Sequence, residues 1–276
     1  MNFLLRALAI LAVILVGALL VGAIPASETI KPMYGVAGKF NAPMCGTNDY
    51  EHVQTKATEF AVNDSAGTCV RSEKYHADFA IASITKDISW QYPDIASGYV
   101  PEGETTCANP KQDTCFTYPV QAERDGGPVA SFGSWLASGS YNESLDIWFS
   151  PVKSRHSTRE RAGDTEIMIW TAYPGIDDRS HFIAYVTIDH LRFGIMTWEA
   201  AHQWRYVAYL WLNAPRVGHG RELSVRNLRL NPFFHNAEHN GWLSPSEWLW
   251  AIDLGFELRW GGTNDNIHGY SLTGVR

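Results

Sequence analysis

The chain has 276 residues, of which 45% are hydrophobic and 18% are charged, so it is long enough to bury one substantial core. Its net charge of -7 and its sequence pI near 5.8 argue against a nucleic-acid partner, because nucleic-acid-binding proteins present a basic face. Eleven Trp, twelve Tyr and twelve Phe favour strands and can also supply flat apolar faces at a binding surface.

The N-terminal residues 1–26 have the pattern of a signal peptide. Arg6 precedes an unbroken apolar run over residues 7–24, and small residues follow it. The run is nearly long enough to span a bilayer, so the alternative is an uncleaved membrane anchor. In both cases Arg6 would stay in the cytoplasm and the rest would be exported. We therefore predict a secreted protein whose residues 27–276 form one domain, with membrane association only through an uncleaved N-terminal segment.

The four cysteines lie at positions 45, 69, 107 and 115. An even number of cysteines in an exported chain suggests disulfides. Three pairings are conceivable, and the local one, Cys45–Cys69 with Cys107–Cys115, is the simplest. Zinc is not expected, because the chain has no CxxC pair.

Two glycosylation sequons begin at Asn63 and Asn142, and they would matter only in a host that glycosylates.

After about residue 37, short alternating segments are separated by turn-forming residues, which predicts an all-β sandwich or barrel. The clearest strands lie at 60–63, 78–84, 144–150, 165–170, 181–188, 205–212 and 251–260. One helix is expected within 222–250, where Pro232 would interrupt it. Ser244 followed by Glu247 predicts a fresh helix start, because this spacing is that of a capping box.

Three of the predicted strands carry carboxylates on one face. In the segment DTEIMIW, Glu166 shares its face with Met168 and Trp170, because side chains alternate along a strand. In SLDIWFS, Asp146 shares a face with Trp148. In AIDLGFELRW, one face carries Asp253, Gly255, Glu257 and Arg259, and the other carries Ile252, Leu254, Phe256, Leu258 and Trp260.

These polar faces have two explanations. Outer faces of antiparallel sheets are commonly polar, which would account for any single acid. Carboxylates interleaved with tryptophan and methionine fit better with a sugar-binding groove, where indole faces stack on sugar rings and carboxylates accept hydroxyl hydrogen bonds. Two acids across a glycosidic bond are also sufficient to hydrolyse it.

The same segments resemble glycoside hydrolase family 12, the small retaining endoglucanases. DTEIMIW resembles the family's nucleophile strand, GFELRWGG its acid/base strand and SLDIWFSP its strand with a supporting aspartate. The stretches YPDIASGY, CANPKQDTC and YPVQ resemble a family segment with a small disulfide loop, and Cys45 and Cys69 sit where the family has its N-terminal disulfide. The resemblance covers roughly residues 40–276.

The resemblance implies a jelly-roll β-sandwich of two antiparallel sheets with one short helix, whose concave sheet forms an open substrate cleft. It implies a secreted, monomeric endo-acting hydrolase of β-1,4-glucan, which needs neither a cofactor nor a metal. Glu166 would be the nucleophile, Glu257 the acid/base and Asp146 a supporting carboxylate that hydrogen-bonds one of them. Retention would place the two catalytic carboxyls about 5–5.5 Å apart. Substrate-binding roles would fall to Met168, Trp170, Trp148, Trp198 and Trp90.

The chain also departs from the family pattern. VNDSAGTC lacks the tryptophan that the family carries in its early strand, Leu258 replaces the usual proline, and Leu145 replaces the usual tyrosine. These departures concern the distal subsites and the choice among cellulose, mixed-linkage β-glucan and xyloglucan.

Two other functions match parts of the sequence. HNAEH over residues 235–239 has the H-x-x-E-H pattern of a zinc protease, but that motif needs a firm helix and a third ligand. A non-catalytic, lectin-like sugar-binding sandwich would keep the tryptophans, but it would have no use for paired acids. Asn264-Asp265-Asn266 is expected to be a polar turn rather than a calcium site.

Overall fold

The computed structural model describes residues 44–45, 50–54, 59–63, 68–72, 79–84, 92–98, 120–121, 127–152, 162–176, 178–199, 204–215 and 220–274. These residues all belong to one compact unit, Phe40–Arg276. The predicted signal segment, Trp90, Cys107 and Cys115 lie outside them. Within the described part, no helix is long and apolar enough to cross a membrane.

Two sheets stack on each other, and the predicted all-β jelly roll is confirmed. The smaller sheet has six strands in the order β1-β4-β5-β16-β8-β14. Their bounds are Met44–Cys45, Thr68–Ser72, Phe79–Ile84, Asn266–Thr273, Val129–Leu136 and Arg221–Arg229. The last of these covers the start of the window 222–250 in which one helix was expected, and the helix itself follows directly after it.

The larger sheet has ten strands in the order β11-β12-β13-β10-β9-β15-β6-β3-β2, with β7 also pairing with β15. Their bounds are Ala184–Ile188, Leu191–Glu199, Arg205–Trp211, Thr165–Ala172, Gly139–Ser150, Trp248–Gly261, Asp94–Gly98, Glu59–Asn63 and Tyr50–Gln54, with β7 at Val120–Gln121. The neighbours β10 and β13 run parallel, which departs from the purely antiparallel prediction.

The main core lies between the two sheets. Ile147, Ile167 and Ile169 of the large sheet are fully buried in one cluster with Phe132 and Ile267 of the small sheet. Burial of such a side chain contributes about 1.5–3 kcal/mol. The alternation predicted for DTEIMIW therefore holds, because its isoleucines face the core and its polar and aromatic residues face away.

One α-helix, α1, spans Asn231–His239 within the described residues. Pro232 lies in its first turn, where a missing N–H costs nothing, so the expectation that this proline interrupts the helix is wrong. The helix buries Phe233 and Phe234, and the ring of Phe234 lies 4.9 Å from that of Phe149 in β9. The helix therefore closes one end of the core.

The predicted helix start at Ser244 is a turn. The Ser244 N–H donates to Glu247 Oε1 at 3.0 Å, and the Glu247 N–H donates to the Ser244 carbonyl at 2.9 Å. Of the two hydrogen bonds of a capping box, only the one from the Ser244 N–H to the Glu247 side chain forms, because the Glu247 N–H bonds the Ser244 carbonyl instead of its hydroxyl. The chain then continues directly into β15. The predicted helix after Ser244 is therefore wrong, because pairing with β9 makes the following segment a strand.

Strands β1 and β4 place Cys45 and Cys69 opposite each other in register, and Cys69 is disulfide-bonded. The side chain of Cys45 is outside the described part, so the partner of Cys69 remains a prediction.

A buried acid lies on the core side of the large sheet. Glu143 in β9 is fully buried and accepts a hydrogen bond from Thr171 Oγ1 at 2.7 Å. Burial raises the pKa of this carboxyl to about 7, although the hydroxyls of Ser134 and Thr171 act in the opposite direction. Folding therefore favours the protonated acid.

We expect Glu143 to make stability depend on pH. Its folded pKa is raised above its ordinary value of 4.5, so its contribution is fully present below about pH 4.5 and is lost as pH rises towards 7. The loss amounts to roughly 3 kcal/mol. Glu143→Gln mimics the protonated acid, so urea unfolding should show the variant gaining stability over the wild type between pH 4.5 and 8. The exposed Glu222→Gln serves as a control, and parallel curves for all three proteins would show that Glu143 does not titrate in this range.

Candidate active site

Three adjacent strands, β15, β9 and β10, bring the predicted carboxylates to the outer face of the large sheet, here called the cleft face. Glu166 lies opposite Trp148, Asp146 lies opposite both Met168 and Asp253, and Glu257 lies opposite Asn142. Residues that are directly opposite in neighbouring strands point to the same side of the sheet. The structure therefore brings Glu166, Asp146 and Glu257 onto one surface.

Glu166 is only 7% exposed, and its carboxylate has a specific donor. The indole Nε1–H of Trp204 donates to Glu166 Oε2. A neutral donor of this kind stabilises the ionised carboxylate without supplying a proton that could be transferred. Trp204 was not identified from the sequence, because it precedes its strand and the period-2 pattern says nothing about it.

Trp204 belongs to an aromatic cluster around Glu166. Its ring lies 5.8 Å from that of Trp148 and 6.0 Å from that of Trp198. Trp198 in turn stacks on Tyr206, with ring centroids 5.3 Å apart and planes 23° apart. Trp198 is 46% exposed, whereas Trp148 is 6% exposed. Of this cluster, Trp198 therefore offers a face to a ligand, while Trp148 fills the floor.

The predicted residues Met168 and Trp170 also form the floor. Both are buried, in a second apolar cluster on the cleft face that includes Met196, Tyr206 and Leu210. The Tyr206 hydroxyl donates to Met168 Sδ at 3.3 Å. Met168 therefore sits beneath Tyr206 rather than at the open surface.

Glu257 is held by a second neutral donor. Asn142 Nδ2 donates to Glu257 Oε2, and Ser144 Oγ donates to Asn142 Oδ1 at 2.9 Å, which fixes the orientation of the amide. Burial raises the pKa of Glu257, whereas the Asn142 hydrogen bond and the charge of Arg259 lower it, and Asp178 raises it. The net change in the pKa of Glu257 is upward.

Asn142 is fully buried, so its sequon is inaccessible to glycosylation in the folded protein.

Tyr206 links the three predicted acids. Burial raises its pKa well above the ordinary value, and the charges of Glu166, Glu257 and Asp146 each raise it further. The phenol therefore stays protonated as a hydrogen-bond donor among three carboxylates. Glu166 lies level with position 148 of β9 and Glu257 with position 142, and the charges of both reach Tyr206. The 5–5.5 Å carboxyl separation stays a prediction.

Asp146 has a close acidic neighbour that the site prediction did not include. Asp146 and Asp253 are direct cross-strand partners and are 8% and 4% exposed. Asp94 in β6 is also buried and lies opposite Gly255, next along the same face. Burial and then the charges of Asp146, Asp94 and Asp253 raise the pKa of Tyr92. The three acids therefore lie on one part of the cleft face, near the phenol of Tyr92.

A cleft of about 610 Å³ opens beside Glu257. It is lined by Trp170, Asp178, His181, Met196, Thr197, Trp198, Tyr206, Glu257 and Arg259. Arg259 and Asp178 form an ion pair at 3.5 Å on its wall. The cleft therefore joins the exposed Trp198 to the candidate acid Glu257.

The end of β15 corrects one sequence expectation. A β-bulge between Leu258 and Trp260 shifts the register, so that Leu258 pairs with Tyr141 and Trp260 pairs with Ser140. Tyr141 belongs to the core. Ser140 lies two residues before Asn142 and four before Ser144, so its side chain points to the same cleft face as theirs. Trp260 was expected on the core face, but it is 63% exposed on the cleft face. Simple alternation failed because the bulge inserts one residue.

The H-x-x-E-H segment lies on α1. His235 is exposed, and its Nδ1 lies 3.1 Å from Glu238 Oε2. Among the described residues, no group of three or more His, Cys, Asp or Glu side chains could hold a metal ion. The segment thus has the helix of the protease motif without a third ligand in the described part.

Comparison with solved structures identifies the fold. The Rhodothermus marinus endoglucanase cel12A matches with a TM-score of 0.67 and 23% identity, over 84% of this chain and 98% of that one. A metagenome-derived family 12 endoglucanase matches with a TM-score of 0.65 and 22% identity, over 84% and 96% of the two chains. A family 12 xyloglucanase from Bacillus licheniformis matches with a TM-score of 0.63 and 18% identity, over 84% and 99%.

No family model and no curated protein sequence matches this chain. The chain therefore has the fold of the family 12 glycoside hydrolases, at sequence identities where the fold alone is established.

Proposed function

We propose that this protein is an endo-acting glycoside hydrolase that cleaves β-1,4-glucan with retention of anomeric configuration. The observation that carries the proposal is the pair Glu166 and Glu257 on an aromatic cleft face, each held by its own neutral N–H donor. The fold shared with family 12 endoglucanases and a xyloglucanase supports it. A purely sugar-binding surface would not need two oriented carboxylates.

Glu166 acts as the nucleophile in this proposal. Trp204 stabilises its ionised form, which is the form that attacks the anomeric carbon and makes a covalent glycosyl-enzyme. Its place at one end of the aromatic cluster puts it beside Trp198, where a sugar ring can stack. Asp146 acts as a supporting carboxylate, because its charge reaches Tyr206 together with those of the two catalytic acids.

Glu257 acts as the acid/base. Its raised pKa keeps a proton available for the leaving oxygen, and the resulting carboxylate then activates water. Asn142 limits the rise, so the group can also work as a base. The mechanism uses no cofactor or metal.

The substrate is a β-glucan polysaccharide, and the enzyme works as a secreted monomer after removal of residues 1–26. The open cleft suits internal attack on a chain. Reducing-sugar assays on cellulose, mixed-linkage β-glucan and xyloglucan would identify the preferred polymer, since all three share the β-1,4-linked glucose backbone.

Azide rescue of two variants tests both catalytic roles. Glu257→Ala lacks the proton donor but keeps the nucleophile, so a substrate with a good leaving group should still glycosylate Glu166. Azide needs no base, and it should release the sugar as the β-azide after two inversions. Glu166→Ala cannot form the covalent intermediate, so azide should attack directly and give the α-azide. Product NMR reads the configuration.

Swapped azide products would reverse the two roles. Full activity on β-glucan in either variant would remove the hydrolase proposal and favour a sugar-binding protein. Circular dichroism of both variants controls for folding.

The N–H donors of Trp204 and Asn142 should affect different limbs of the pH–rate profile: the acidic limb through Glu166 and the basic limb through Glu257. Trp204→Phe keeps an aromatic ring but removes the donor that stabilises the ionised form of Glu166, so the acidic limb of kcat/KM should move to higher pH. Asn142→Ala removes a donor that lowers the pKa of Glu257, so the basic limb should also move to higher pH.

Trp198→Phe is the matched control, because Trp198 touches Trp204 but gives no hydrogen bond to either acid in the described contacts. It should change KM and leave both limbs in place. If Trp204→Phe shifted neither limb, the indole would merely pack against Glu166.

We also expect two disulfides, Cys45–Cys69 and Cys107–Cys115, each contributing about 2–4 kcal/mol to stability. Strand pairing of the first two residues and the bonded state of Cys69 support the first bridge. Non-reducing peptide mapping should recover these two linked peptides. Crossed pairing or free thiols would contradict the prediction.

A further inference from the structure

The bulge at the end of β15 leaves a large indole on the cleft face. Trp260 is 63% exposed, more than the other exposed large hydrophobic side chains of the described residues. Its register partner is Ser140, two residues from Asn142, which holds Glu257. Gly261 has a φ of 73°, a conformation that favours glycine, and this backbone turn directly follows the indole.

We propose that Trp260 is a second stacking platform for a sugar ring of the glucan chain, at the end of the cleft opposite Trp198. The inference rests on the proposed function and adds a binding subsite to it.

The positions of the two indoles support this subsite. Trp198 pairs with Tyr206, which pairs with Glu166, which pairs with Trp148 of β9. Trp198 is therefore level with position 148 of β9. Trp260 is level with position 140 of the same strand, because it pairs with Ser140. Positions 148 and 140 of β9 are eight residues apart, or about 26 Å at about 3.3 Å per residue. Glu257, level with Asn142, falls between these two levels. The two exposed indoles therefore lie on either side of the level of Glu257, separated by the length of an oligosaccharide with several rings.

The chemistry of the site fits a pyranose ring. An exposed indole beside water-accessible polar groups presents a flat apolar face for the C–H side of a sugar, while hydroxyls remain solvated. Arg259, the neighbouring residue in the bulge, lines the cleft and can donate to sugar hydroxyls there. A short ligand held between Trp198 and Glu257 would not reach Trp260, whereas a long chain would.

Calorimetric binding to catalytically silent proteins tests the subsite. Cellohexaose and cellotriose are titrated into Glu166→Ala, with and without Trp260→Ala. We expect Trp260→Ala to weaken binding of the hexasaccharide by about five- to tenfold and to leave that of the trisaccharide within about twofold. Trp260→Phe should restore most of the hexasaccharide affinity. Trp135→Ala, a half-buried tryptophan on the smaller sheet, is the matched control.

The outcomes separate this subsite from the proposed hydrolysis. Unchanged hexasaccharide affinity in Trp260→Ala, or equal weakening for both sugars, would overturn the subsite. An inactive wild type whose hexasaccharide binding still depends on Trp260 would overturn hydrolysis and keep the subsite. Melting temperatures within a few degrees of the parent protein establish that each variant is folded.

Discussion

The candidate site depends on the pairing of β9 with both β10 and β15. Strand β9 supplies Asp146, Asn142 and Trp148, and its register also decides which residues of its neighbours share the cleft face. A shift of one residue would exchange that face for the core face and bury Glu166 against isoleucines. The apolar alternation of Ile147, Ile167 and Ile169 enforces the register, because these side chains must lie between the sheets. The packing of the core therefore also fixes the register that places the acids on the cleft face.

The same strand carries acids on both of its faces, with different consequences. Asp146 faces the cleft together with Tyr92, Asp253 and Met168, whereas Glu143 faces the core and contacts Thr171. A carboxyl in the core is most stable when neutral, because desolvation penalises its charge. A carboxylate in the cleft can remain ionised where an N–H donor compensates for lost water, as Trp204 does for Glu166. Burial alone does not identify a functional acid, so the donors must be considered as well.

The sequence was sufficient to predict the sandwich, the helix region and the shared face of Glu166, Asp146 and Glu257, because these follow from period-2 alternation and from motifs. It was insufficient for Trp204, Asn142 and Tyr206. Their importance comes from contacts between strands that are distant in the chain, such as the Asn142–Glu257 bond across 115 residues. The bulge at Trp260 and the parallel pairing of β10 with β13 also depend on tertiary context, since no local pattern specifies them.

The two candidate catalytic acids differ in how their donors are fixed, and this difference bears on their roles. Asn142 is itself oriented by Ser144 from the same strand, so the donor to Glu257 lies within the paired sheet. Trp204 lies outside the regular strands, and its ring contacts the exposed Trp198. A sugar that stacks on Trp198 would therefore touch the aromatic cluster that contains the donor to Glu166, whereas the donor to Glu257 belongs to the sheet. An acid/base that must exchange protons repeatedly benefits from a fixed environment, and a nucleophile benefits from being aligned when substrate is present.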